Sequence, residues 1–238
     1  MLCSVCSSPE FYEESAVTLH AAMMTSDGTG FVWVTDRLAN TSVGYVMVEK
    51  LTYLEEHGIV CSIWGDHVAM DARDKLIDRV SAGSVPIHDG EALKIFLRKL
   101  GEEIYPQHKG TFVHHMPRGV LLAVLGERPK IYSLSVQWPP IAVEITDQAM
   151  YGDDSNPALF FVRRYYARSG KTVPELLAIG IHTIRIGSEM NTKGIEGLDA
   201  WVCEKGKLRQ LTLIELSPYL KLSTSVDEGI AERLSSLR

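Results

Sequence analysis

AVTLHAAMMTSDGTGFVWVTDR, residues 16–37, is the stretch on which the reading of the fold turns. Residues 17–24 have the look of a strand. Ser26-Asp27-Gly28 is turn chemistry, because glycine tolerates positive φ and aspartate caps tight turns. In residues 31–36 the side chains alternate, Phe31, Trp33 and Thr35 against Val32, Val34 and Asp36. The segment reads as a hairpin whose second strand ends in Asp36-Arg37. Lys50 follows in VMVEKL, and IVCSIWGD (59–66) leads into a helical pattern.

Working outward, short strands are expected around 44–52 and 58–64. From Asp66 the period lengthens: Ala69, Ala72, Leu76 and Val80 share a face, with Asp71, Arg73, Asp74 and Lys75 turned away. A second helix is expected over 90–105. Three strands follow, GVLLAVLG, KIYSLSV and IAVEIT, then helices over 155–168 and 173–188. Thr172-Val173-Pro174-Glu175 is a capping box at the start of the latter. LDAWVCE and LRQLTLIEL read as a hairpin across Lys205-Gly206, and a weak helix closes the chain over 227–237. With no repeat or linker in view, the expected organisation is an extension over residues 1–14 and one domain over 15–238. Strands and helix pairs in this order predict an α+β fold: a four-layer α/β/β/α sandwich of two antiparallel sheets flanked by helix pairs.

Composition narrows the function classes. The chain has 238 residues, 45% hydrophobic and 23% charged, in the ordinary globular range. A net charge of −6 argues against a nucleic-acid footprint, which needs clustered Lys and Arg. No apolar run approaches the roughly 20 residues that span a bilayer, and the N-terminus lacks the marks of a secretory signal, so a cytoplasmic protein is expected. The four cysteines make no disulfide framework. Cys3 and Cys6 form an isolated C-x-x-C with no second ligand pair, while Cys61 and Cys203 sit in apolar runs and read as buried thiols. His114-His115 is a poor chelate, because adjacent strand residues point to opposite faces. No cofactor or metal is expected. No Walker loop, dinucleotide fingerprint or Ser-His-Asp spacing is present.

The order of hairpin, Asp36, Lys50 and Gly65 resembles proteasome-type β subunits of the N-terminal-nucleophile (Ntn) hydrolase superfamily. The resemblance spans about residues 15–215. It implies that Asp36, Lys50 and Gly65 occupy the positions of a supporting aspartate, an activating lysine and an oxyanion-binding glycine. In that chemistry a chain-terminal threonine attacks an amide, its own free amine or a water taking the proton. By the same resemblance the nucleophile position falls near Ala16, which has no hydroxyl. Ser15, preceded by Glu14, and Thr18, preceded by Val17, are the alternative nucleophiles. The stretches 151–155 and 190–194 also depart from the family pattern. The expectation is therefore a divergent, non-catalytic protein that keeps its N-terminus and acts through homo-oligomeric, ring-like assembly or binding. The alternative is a peptidase or amidase of peptide or amide substrates, activated by self-cleavage before Ser15 or Thr18. Each retained residue also has a structural reading: Asp36 as a turn cap, Lys50 as an exposed strand lysine, Gly65 as a helix start.

Overall fold

The structure, a computed structural model, describes residues 18–41, 44–109, 118–152, 158–191 and 195–236. The expected 1–14 extension, Cys3, Cys6, Ser15, Ala16 and His114-His115 lie outside the described residues.

Strands β1 (Leu19–Met24) and β2 (Gly30–Thr35) form the expected hairpin, in a register running from His20 opposite Thr35 to Met24 opposite Phe31. Its turn is built as the sequence indicates. The Asp27 carboxylate accepts from the Thr25 hydroxyl and from the amide and hydroxyl of Thr29, and Gly28 has φ +67°. Both strands are buried along their whole length. Leu19, Ala21, Met23, Val32 and Val34 pack into a cluster with helix residues such as Val162, Leu176 and Ile181. Ala22, Met24, Phe31 and Trp33, on the other face, meet Val60, Leu121, Ala123 and Ile131.

The chain continues through β3 (Leu38–Thr41), β4 (Gly44–Met47), β5 (Thr52–Leu54) and β6 (Ile59–Trp64) to helices α1 (His67–Ser81) and α2 (Gly90–Gln107). Strands β7 (Gly119–Val124), β8 (Lys130–Ser135), β9 (Ile141–Ile145) and β10 (Gln148–Gly152) precede helices α3 (Ala158–Tyr166) and α4 (Val173–Met190). Strands β11 (Asp199–Glu204) and β12 (Lys207–Gln210) and helix α5 (Leu213–Ser235) complete it. One sheet has the order β10-β1-β2-β11-β12, another β5-β6-β7-β8-β9, and β3-β4 form a third. Helices α1 and α2 cover the β5–β9 sheet through Val68, Leu76, Leu93 and Leu97.

This corrects the sequence-based fold. In place of a four-layer sandwich of two sheets with a helix pair on each, the described residues form an α+β fold of three antiparallel sheets and five α-helices. Two local causes account for the difference. Strands β3 and β4 pair with each other and not with a larger sheet. LRQLTLIEL, read as one strand, stops pairing at Gln210. Thr212 then caps a helix: its amide donates to Glu215 Oε2 (2.8 Å) and the Glu215 amide to its hydroxyl (3.4 Å). Helix α5 therefore begins where the apolar Leu213 and Ile214 suggested a strand. It adds a third helix beside α3 and α4, and Leu216 joins their core.

Candidate active site

Thr18 immediately precedes β1 and Asp36 immediately follows β2, so the hairpin brings them to the same end of the sheet. The Asp36 amide donates to the Leu19 carbonyl (3.2 Å), and the Leu19 amide donates to Asp36 Oδ1 (2.8 Å). The Leu38 amide donates to Oδ2 (3.2 Å). Asp36 is completely buried, so these donors replace the water its carboxylate would otherwise hold.

Lys50 comes in from the connection between β4 and β5. Its Nζ donates to Asp36 Oδ1 (2.8 Å) and Oδ2 (2.7 Å), and also to the Thr18 hydroxyl (3.1 Å). The Lys50 side chain is 8% exposed. Burial is the largest influence on each partner: it raises the Asp36 carboxyl and lowers the Lys50 ammonium, while their mutual attraction opposes both shifts. The structure thus places an ammonium of reduced proton affinity against a hydroxyl at the start of a strand.

Gly65 links β6 to the N-cap of α1 with φ +98°, a backbone region that favours glycine. Asp66 caps that helix by accepting from the Val68 amide (3.0 Å), and its Oδ2 lies 2.9 Å from Nη1 of the buried Arg118. Trp64, just before Gly65, stacks on Tyr151 of β10 at 3.8 Å between ring centroids and 11° between planes. Gly152, next along β10, pairs with Leu19 so closely that a Cβ there would lie 2.0 Å from the Thr18 carbonyl oxygen. Of the two stretches singled out in the sequence, Tyr151, Gly152, Met190 and Asn191 fall within the described residues; 153–155 and 192–194 do not.

Of the sequence-derived site residues, the structure brings Asp36, Lys50 and Thr18 into direct contact. The hydroxyl that reaches Lys50 belongs to Thr18, two residues beyond the expected Ala16. Sequence reasoning missed the groups behind this contact. His20, fully buried, has Nε2 2.9 Å from the Ile63 carbonyl and 3.2 Å from the Ser62 hydroxyl, and its Nδ1 lies 3.4 Å from Trp33 Nε1. An indole N–H only donates and a carbonyl only accepts, so Nδ1 is the acceptor and the ring is neutral. Burial first, and the Lys50 charge second, push its pKa down to about 3. Ser62 in turn donates to the Lys50 carbonyl (2.6 Å). The available signal was a single histidine in an otherwise apolar strand.

Among the described residues no group of three or more His, Cys, Asp or Glu side chains is arranged to hold a metal ion, and no helix is long and apolar enough to cross a membrane. Cys61 and Cys203 are buried free thiols.

The fold is similar to that of solved structures of Anbu, the ancestral beta-subunit. The chain is similar to Anbu from Yersinia bercovieri at a TM-score of 0.71 and 15% identity, covering 92% of this chain and 97% of that one. It is also similar to a Gly-1 mutant of Anbu from Hyphomicrobium sp. strain MC1, at a TM-score of 0.68 and 15% identity, over 92% of this chain and 96% of the other. These neighbours correct the resemblance drawn from sequence. The fold likeness is to Anbu, a proteasome-like family distinct from, though related to, the proteasome-type Ntn proteins first invoked. No family model matches the sequence, and no curated protein matches it.

Proposed function

We propose that this protein is a latent amide hydrolase whose nucleophile is the Thr18 hydroxyl, released to act when the chain is cut between Val17 and Thr18. The observation that carries this reading is the 3.1 Å contact from Lys50 Nζ to Thr18 Oγ1, with Asp36 holding the same ammonium. A cut there would give Thr18 a free amine, the proton acceptor that a hydroxyl inside an uncut chain lacks. The hydroxyl oxygen would then add to a substrate carbonyl, the amine portion would leave with a proton, and water would hydrolyse the resulting ester. Lys50 lowers the proton affinity of the hydroxyl by its charge. Gly65, at the N-terminal end of α1, supplies a backbone N–H suited to the developing oxyanion. The proposal includes homo-oligomeric assembly, supported by the apolar Leu213, Ile214, Leu222 and Ile230, all at least half exposed on α5.

A chain beginning at Thr18, assayed beside the full chain with fluorogenic peptides and intact mass, tests the reading. Expected are hydrolysis by the shortened chain, its loss in Thr18→Ala and Lys50→Ala, and no effect of Ser15→Ala on cleavage before Thr18. An inert shortened chain, with a full chain that keeps its mass, would instead support the non-catalytic reading, in which Thr18, Asp36 and Lys50 are a structural polar cluster. Light scattering reads the assembly.

A further inference from the structure

Lys50 is delivered to Thr18 and Asp36 by a segment with little regular structure of its own. Residues 48–51 lie outside any strand, between β4, in the small sheet, and β5, an edge strand of only three residues. The Val48 amide is held by the Arg37 carbonyl (2.8 Å). The Lys50 carbonyl accepts from the Ser62 hydroxyl at 2.6 Å. Ser62 is wholly buried on β6, and its oxygen is within 3.2 Å of His20 Nε2. His20 lies on β1, two residues after Thr18, and Trp33 on β2 fixes its ring from the other side.

The strand that presents Thr18 is therefore joined to the segment that presents Lys50 twice. At the front, Lys50 Nζ meets the Thr18 hydroxyl and Asp36. Behind, the path runs from His20 through Ser62 to the Lys50 backbone. We propose that Trp33, His20 and Ser62 form a positioning network that sets the backbone of Lys50, and hence the depth at which its ammonium is held against Thr18. The inference rests on the proposed hydrolase reading only for its consequence for rate; the positioning itself concerns the resting protein.

The hydrogen-bond inventory supports an orienting role. The Ser62 hydroxyl has one proton, and the Lys50 carbonyl takes it, so its oxygen is left to accept from His20. The His20 Nε2–H is shared between Ser62 and the Ile63 carbonyl, while Nδ1 accepts from Trp33. No member has a second arrangement that satisfies the same partners. A buried hydroxyl without His20 would have more rotational freedom, and a Lys50 carbonyl without Ser62 would lose its donor. Either loss lets residues 48–51 relax toward solvent without removing any group from the front of the site.

The test reads Lys50 directly in the full-length, uncut chain, so it does not depend on hydrolysis. Trace acetylation with acetic anhydride across a pH series, followed by peptide mass spectrometry, gives the titration midpoint of each lysine. Ser62→Ala and His20→Gln are expected to move the Lys50 midpoint upward by about one pH unit, toward that of an ordinary lysine, as the ammonium regains water. Ser62→Thr, which keeps the hydroxyl, should restore the wild-type midpoint, and Lys171 and Lys207 should not move in any variant. An unchanged Lys50 midpoint in Ser62→Ala and His20→Gln overturns the proposal. So does uniform labelling of all lysines in both, which would make the network a general element of the core. If Lys50 shifts while a chain beginning at Thr18 is inert, the positioning stands and the hydrolase reading fails. If that chain is active and Lys50 does not shift, the reverse holds.

Discussion

Two buried histidines mark two regions built on different terms. His20 lies between the sheets with both ring nitrogens partnered, in a network that spans β1, β2, β6 and the Lys50 segment. His182 lies between helices: its Nδ1 is 2.6 Å from the Ser223 hydroxyl of α5, but its Nε2 is buried with no hydrogen-bond partner. Arg185 donates to Ser223 Oγ and to its carbonyl and pairs with Glu189 and Asp227 at the helix surface. Burial lowers the pKa of both histidines. The contrast teaches where specificity resides. Around His20 each polar atom's partner is set from more than one strand, whereas around His182 one surface helix rests on another and leaves a ring nitrogen unmatched. A saturated network admits a single arrangement; an unsaturated one tolerates replacement.

The largest break in this comparison is expected at Asp36. Asp36→Ala removes the acceptor of Lys50 and of the Leu19 and Leu38 amides, leaving an uncompensated buried ammonium, and should cost about 3–5 kcal/mol in chemical denaturation. A loss below 1 kcal/mol would show that Lys50 swings out to water. Gly152→Ala comes next. It presses a methyl group onto the Thr18 carbonyl, 2.0 Å away, and is expected to lower stability by about 1–3 kcal/mol while displacing Thr18 from Lys50.

Acid provides the third test. The folded pKa of His20, about 3, lies below the free value of 6.5, so the folded state binds fewer protons than the unfolded one. Its contribution to stability is complete above about pH 6.5 and declines by up to about 1.4 kcal/mol per pH unit as pH falls toward 3. The difference between wild type and His20→Gln, followed by denaturant midpoint from pH 7 to 4, should show that slope. Parallel curves would mean that His20 is hydrated in the native state. The smallest effect belongs to the helix cluster. Ser223→Ala should cost about 1 kcal/mol and Asp227→Asn less, read as shifts in melting temperature.

How much of this was legible in the sequence follows from the range of the forces. The β1–β2 hairpin was, because its turn chemistry and alternation are local. Helices α1, α2 and α4 were, because their apolar faces recur at helical spacing and Thr172-Glu175 marks a start. The third sheet and the first half of α5 were not, although the end of that helix was expected over 227–237. Whether 38–47 joins a neighbouring sheet depends on distant partners, and Leu213-Ile214 carries a β-like composition that the Thr212–Glu215 cap overrides. At the site, Asp36 and Lys50 were linked only through the resemblance to proteasome-type β subunits, since their residue types and spacing alone read as a turn cap and an exposed strand lysine. The position of the facing hydroxyl was not, because it rests on a pairing in which Leu19, not an earlier residue, lies against Asp36. His20 and Ser62 were invisible as partners for a similar reason: 42 positions separate them along the chain, and only the packing of two sheets brings them together.

The bond from the Leu19 amide to Asp36 has a consequence for the order of events in time. It secures the first residue after Thr18, so the contacts of Thr18 with Lys50 and of Lys50 with Asp36 use no atom from the chain before Thr18. Under the proposed reading, severing the peptide bond at Thr18 would leave the scaffold as it was. Competence would then appear in step with bond scission, without a lag for refolding, and a time course of cleavage and a time course of activity would superimpose.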